Sequence, residues 1–442
     1  MSAKRSDALL HKRENGYRSL SAEEKAAMNA YCEEYKTFLD KSRTEREAVR
    51  YTVQLAEARG YRPYHRGDAL KPGDKIYRVN RDKAVMLAVM GTEPLDKGVN
   101  IGAAHIDAPR LDLKPNPLIE DSEFALLKTH YYGGIRKYHW VSIPLSLRGV
   151  VVKRDGTKVD VVIGGEPGDP LLTIPDLLPH LADKQAKEPL WQAIKGEDLN
   201  ILVGSEPYPD PDEKDAVKLM VLDILNQKYG MVEEDFLSAE LCAVPAYPVA
   251  DVGLDRSMIG SYGQDDRVCS FAALQGLFDA EETLKRTGVC MLVDKEEIGS
   301  EGVSGMQSWA FDTFLSDLCD ATGASLKSCY EHSFCLSADV TAAFDPNFAE
   351  VYEKHNAARL NRGVGLCKYT GARGKSGASD ASAEVVGYVR KLFNDNGYVT
   401  LAIPLAILLA IVVDVVLNKT RFGYELRATG NNKFAAKYCG MA

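Results

Sequence analysis

The chain has 442 residues, 45% hydrophobic and 26% charged, so it can bury a large core and is expected to divide into more than one domain. A formal net charge of -9 speaks against nucleic acid as a partner, which would need a basic face. Nine scattered cysteines, odd in number and without Cys-x-x-Cys spacing, point to a reducing, cytoplasmic compartment and exclude a cysteine zinc site.

The N-terminus is polar, with no apolar signal region. Helical sequence is predicted over residues 21–59, opened by Ser21 and Glu24 at capping-box spacing. Two strand-like runs follow at 84–90 and 99–104. The second leads into His105-Ile-Asp-Ala-Pro, where Pro109 interrupts regular structure. From residue 111 to 251 the texture changes to strands and turns, such as 140–152 and 158–163, and reads as an inserted, mainly β domain. Helix and strand alternation then returns: a loop at 259–264, a helix over 266–286, and strands at 290–293 and 334–338. The class is therefore α/β, with a sheet begun before the insertion and completed after it.

Four ionisable clusters fall at strand ends or loops of this sheet, where α/β proteins place their chemistry. They are His105 with Asp107, Asp265 with Asp266, Glu296 with Glu297, and Asp339. Imidazole and carboxylate donors suit zinc, and a bridging carboxylate would serve two ions. Each cluster also has an ordinary alternative: a core histidine bonded to Asp107, an aspartate capping the next helix, a solvated Glu-Glu turn, and a turn aspartate.

The segments His105-Ile-Asp-Ala-Pro-Arg-Leu-Asp-Leu-Lys-Pro, Gly263-Gln-Asp-Asp-Arg-Val-Cys-Ser-Phe, Asp294-Lys-Glu-Glu-Ile-Gly-Ser-Glu-Gly and Ser337-Ala-Asp-Val together resemble the aspartyl aminopeptidase family of dizinc metallopeptidases. Lys128-Thr-His-Tyr-Tyr-Gly-Gly-Ile-Arg-Lys resembles its bacterial members. The resemblance implies a mixed-sheet zinc-peptidase catalytic domain in two parts, 1–110 and 252–399, interrupted by a dimerisation domain at 111–251. It further implies that His105 binds one zinc, Asp265 bridges two, and Glu297 and Asp339 each hold one. Asp265 is preferred to Asp266 because it aligns Phe271 with the family. Glu296 would be the general base and Asp107 would orient His105. His180, the alternative for which is a plain surface histidine, would reach a neighbouring subunit's active site. Lys368, Arg373 and Lys375 lie where the family carries substrate-pocket residues and would select acidic N-terminal side chains. Peptide substrates and homo-oligomers, dimers building a dodecamer, are the implied partners.

The pattern breaks near residue 400. The family's final histidine, a further metal ligand, has no counterpart, because the last histidine here is His355. Instead Leu401 opens a run of seventeen residues that is apolar apart from Asp414, followed by Thr420-Arg-Phe-Gly-Tyr-Glu-Leu-Arg-Ala. This stretch, 400–442, resembles a permease fragment of sugar or nucleoside transporters and is expected to add an apolar helix foreign to the peptidase. It touches a membrane only if the tail inserts. The expected activity is zinc-dependent removal of N-terminal residues. The alternatives are a peptidase-like protein left inactive by the missing ligand, and a member of the neighbouring dizinc aminopeptidase and deblocking peptidase family.

Overall fold

A computed structural model of the chain describes residues 5–10, 15–279, 284–367 and 382–395. Lys368, Arg373, Lys375 and the 400–442 tail lie outside the described residues. The first strands are β1 (Arg62–Pro63), β2 (Lys75–Asn80), β3 (Ala84–Val89) and β4 (Asn100–His105). Six more follow: β5 (Arg110–Asp121), β6 (Phe124–Tyr132), β7 (Leu145–Val152), β8 (Lys158–Ile163), β9 (Ile201–Gly204) and β10 (Ala239–Pro245). A short hairpin, β11 (Ala250–Val252) with β12 (Met258–Gly260), precedes β13 (Gly288–Val293) and β14 (Phe334–Ser337).

These strands make two six-stranded sheets. The first runs β1-β2-β3-β13-β4-β14 and is mixed: β13 pairs antiparallel with β3 and parallel with β4, and β14 pairs parallel with β4. The second runs β8-β7-β10-β5-β6-β9 and is antiparallel throughout. Every strand of the second sheet comes from between Arg110 and Pro245.

The central strands of the first sheet are apolar on both faces because helices cover both. Along β3, Val85, Leu87 and Val89 face one core, while Met86 and Ala88 face the other, as a period of two requires. The first core is completed by Tyr35, Phe38, Leu39, Val49, Phe271 and Leu274 from the helices Ala22–Lys41, Glu45–Glu57 and Gln264–Phe278. The second receives Phe314, Leu315 and Leu318 from the helix Ala310–Thr322. The second sheet packs its own core, including Leu111, Leu127, Leu147 and Leu241, against Val217, Val221 and Leu225 of the helix Ala216–Tyr229.

One expectation is corrected here. The helical stretch at 21–59 is two helices, separated at Ser42–Thr44. The Ser21 and Glu24 capping box forms as expected, but a second box, Thr44 with Glu47, starts a new helix. Its first turn meets the second sheet: Glu45 pairs with Arg110, Arg46 with Glu240 and Glu47 with Arg148. The break thus turns three consecutive side chains toward partners far along the chain. Elsewhere the expected strands shift by a few residues, the largest change being 140–152, where regular pairing begins only at Leu145.

Gly98 illustrates how closely the entry to β4 is packed. Its φ is +84°, and a Cβ there would lie 2.1 Å from the backbone oxygen of His332. Gly98→Ala is expected to lower stability by about 2 kcal/mol or more through left-handed strain and backbone overlap. A fall in the urea midpoint checks this.

Candidate metal centre

The first sheet brings three strand ends side by side. In the order β13-β4-β14 the strands are parallel, with Val293 opposite His105 and Ser337 opposite Ala103. His105 closes β4, Glu296 and Glu297 lie in the turn just after β13, and Asp339 stands two residues beyond β14. Asp265 comes from the start of the helix Gln264–Phe278, which is tied to β4 by a 2.7 Å bond from the Ser270 hydroxyl to the His105 carbonyl. That helix has Gly263 at its N-cap with no side-chain cap, so the capping role open to Asp265 and Asp266 is not taken. The Asp265–Asp266 peptide is cis.

His105 is buried and oriented from below. Its Nδ1 lies 3.0 Å from the Asp107 carbonyl and 3.3 Å from Asp107 Oδ1. Contact of Nδ1 with Asp107 turns Nε2 to the opposite side of the ring, where its lone pair would be available to a bound metal. On that side Asp265 Oδ1 is at 3.2 Å, Glu296 Oε2 at 3.8 Å and Asp339 Oδ1 at 3.9 Å. One donor atom each from His105, Asp265 and Asp339 lies within 4.8 Å of the others. The imidazole is buried and bonded to Asp107, as the core-histidine alternative has it, and its other nitrogen also faces three further carboxylates.

Burial separates the parts of the cluster. The His105 side chain is 2% exposed, while Asp265, Glu296 and Asp339 are 52%, 47% and 55% exposed. The cluster is therefore closed on the imidazole side and open to solvent on the carboxylate side. Nitrogen and oxygen donors at this spacing fit zinc.

The electrostatics follow from crowding. Burial raises the Glu297 carboxyl to about 7, with the Asp265 charge adding to it. Burial also raises Glu296; His105 opposes this, while Asp339, Asp107 and Asp265 reinforce it. Burial disfavours charge on His105, but hydrogen bonds to Asp107, Asp265 and Asp339 outweigh it and raise the ring well above its usual value. Burial works against the Asp107 charge too, yet bonds from His105 and Tyr132 hold it below the usual carboxylate range. Asp266 is wholly buried, and that burial pushes its carboxyl well up.

Not every residue singled out in the sequence joins this cluster. Glu297 sits against Gly133, where a Cβ would lie 3.1 Å from Glu297 Oε2, and is not one of the three grouped donors. His180 is exposed on a turn beside Leu177, Leu178 and Leu181, which are exposed as well. Two partners were not picked out from sequence: Tyr132, whose hydroxyl donates to Asp107 Oδ2 at 2.6 Å, and Ser270 behind His105. The sequence signals for Tyr132 were its place before Gly133-Gly134 and its membership of the Lys128-Thr-His-Tyr-Tyr-Gly-Gly segment that resembles bacterial family members.

A family model described as aminopeptidase I zinc metalloprotease (M18) matches residues 38–401. The chain belongs to the M18 aminopeptidase family. This sets aside the neighbouring dizinc aminopeptidase and deblocking peptidase family. A probable M18 family aminopeptidase 1 of Clostridium acetobutylicum is 46% identical over 368 residues, 81% of this chain and 79% of its own length. A Thermotoga maritima relative of the same name is 46% identical over 382 residues, 85% of this chain and 83% of its own. The crystal structure of an M18 aminopeptidase from Thermotoga maritima superposes with a TM-score of 0.84 at 40% identity, covering 95% of this chain and 92% of that one. The M18 match stops at residue 401, close to where the motif pattern breaks. No helix among the described residues is long and apolar enough to cross a membrane.

Proposed function

We propose that this M18 aminopeptidase removes N-terminal residues from peptides with zinc held by His105, Asp265 and Asp339, and with Glu296 moving the proton. The observation that carries this reading is the convergence of Asp265, Glu296 and Asp339 on the Nε2 edge of one buried imidazole. Zinc held by these residues would supply Lewis-acid chemistry, polarising a carbonyl and lowering the pKa of a water. The Glu296 carboxylate accepts a proton from that water and returns it to the departing amine nitrogen, which balances the hydrolysis. Its raised carboxyl suits an exchange of protons in both directions. Asp107 keeps Nδ1 of His105 engaged so that Nε2 faces the donors.

By resemblance to the family, Asp265 would be the bridge to a second ion, with Glu297 as that ion's other ligand. The missing histidine leaves that second site with fewer protein donors than the first. This favours a second reading, a chain that binds one zinc and turns over slowly or not at all. Incubating the purified protein with zinc or cobalt and N-terminally acidic peptides decides between them. Release of the terminal residue supports the enzyme reading, and no release from a folded, zinc-bearing chain supports the inactive one.

Lys368, Arg373 and Lys375 are proposed to select acidic side chains by charge. The exposed leucines around His180 support a role for that loop in subunit contact, with His180 serving a neighbouring site. Free cysteines, including buried Cys242, Cys290 and Cys329, support a reducing cytoplasmic setting. Residues 400–442 are proposed, on their sequence alone, to be a permease-like segment joined to the peptidase. Sequencing the gene across the codons for residues 395–405 tests that junction.

A further inference from the structure

The Thr129-His-Tyr-Tyr-Gly-Gly run belongs to the second sheet, yet its end lies against the metal centre. Tyr132, the last residue of β6, is 8% exposed and Asp107 is fully buried. The Asp107 carboxylate is held by four groups: the Tyr132 hydroxyl at 2.6 Å on Oδ2, the Glu297 amide at 3.2 Å on Oδ2, the Glu296 amide at 3.2 Å on Oδ1, and His105 Nδ1 at 3.3 Å from Oδ1. It is therefore joined at once to the histidine ligand, to the turn bearing the proposed base, and to the second sheet.

The Tyr132 ring is itself fixed. The Arg110 guanidinium carbon lies 3.9 Å from the ring centroid and the Lys295 Nζ 5.2 Å from it. Arg110 is anchored by Glu45 and Asp112, and Lys295 is joined to buried Asp294 at 3.1 Å. Next along the chain, Gly133 has φ +77°, and a Cβ there would stand 3.2 Å from Glu297 Cβ. A side chain at that point would press on the Glu297 turn, so only glycine lets the strand end approach so closely.

We propose that Tyr132 is a positioning residue for the metal centre, fixing the Asp107 carboxylate so that His105 and the Glu296–Glu297 turn keep one mutual geometry. Peptide-bond cleavage would then depend on the second sheet in each subunit, apart from any part that sheet plays in assembly. The inference rests on the zinc reading above. A carboxylate that orients a metal-binding histidine affects metal retention about 10–100-fold when disturbed, and Tyr132 supplies the shortest of the four contacts to it.

The test is Tyr132→Phe in the full chain, which removes one hydroxyl and keeps the ring against Arg110 and Lys295. Zinc retention against a chelator, melting temperature, kcat and KM are compared with the unaltered chain and with Tyr131→Phe, a change at the exposed neighbouring tyrosine. The expected result is about tenfold weaker zinc retention and a lower kcat at unchanged KM, with Tyr131→Phe without effect. In an Asp107→Asn background the same Tyr132→Phe change is expected to alter zinc retention less than twofold, because its route of action has already been removed. Equal zinc retention with and without the hydroxyl overturns the inference, as does an equal loss in both backgrounds. If the unaltered chain binds no zinc, the zinc reading itself fails and this inference falls with it.

Discussion

Glu296→Gln is expected to lower kcat by about 10²–10⁴-fold while leaving zinc content and folding unchanged. The substitution keeps the shape and hydrogen-bonding capacity of the side chain but removes its ability to take a proton. Glu296 Oε2 lies 3.8 Å from His105 Nε2 and the side chain is about half exposed, so it borders the donor set and remains open to substrate. The loss corresponds to about 3–5 kcal/mol of transition-state stabilisation. Steady-state kinetics with metal analysis on the same preparation check it. Unchanged kcat removes Glu296 from the proton-transfer role, whereas loss of zinc would make it a ligand.

Asp265→Ala is expected to have the largest effect on metal binding. Asp265 Oδ1 is the carboxylate oxygen nearest His105 Nε2, at 3.2 Å, and its charge also acts on Glu297. Its loss removes a donor from the first site and the proposed bridge to the second. Zinc affinity should fall by more than the ~10–100-fold that follows loss of an outer partner of a ligand, and turnover should fall with it. Asp266→Ala is the contrasting case: Asp266 is fully buried and its carboxylate is not one of the grouped donors. Equilibrium titration with zinc distinguishes the two. Equal affinities would mean that the choice between the two aspartates had been made wrongly.

Three of the residues singled out in the sequence, His105, Glu296 and Asp339, stand at or just past strand ends, where local pattern is strong, whereas Asp265 begins a helix. His105, Glu296 and Asp339 each follow a short apolar run, and those runs became β4, β13 and β14, neighbours in one sheet. That they are neighbours was not legible from the runs themselves, since β13 comes 183 residues after β4 closes at His105 and Gly288 opens it. The break at Ser42–Thr44 was missed although its signal, Thr44 followed by Glu47, has the same spacing as the box that was recognised at Ser21. An uninterrupted helical texture concealed it. What forces the break is tertiary: Glu45, Arg46 and Glu47 find Arg110, Glu240 and Arg148.

Tyr132 was hidden for a related reason. Its neighbours in sequence mark a strand end, but its partner Asp107 belongs to the link between the two sheets. Asp107 was read as orienting His105, and the structure adds that the same carboxylate accepts bonds from the Glu296 and Glu297 amides. The ligand turn and the histidine are thus held by one buried group. A pattern search sees these as separate motifs, because the hydrogen bonds that unite them pass through backbone amides common to every residue type.

The most direct measurement is a zinc titration of the purified, metal-stripped full chain, with release of N-terminal residues followed at each step. The account predicts that at least one zinc binds per chain, that turnover rises with it, and that His105→Ala abolishes both. A folded chain that takes up no zinc, or that binds it equally well without His105, would contradict the account.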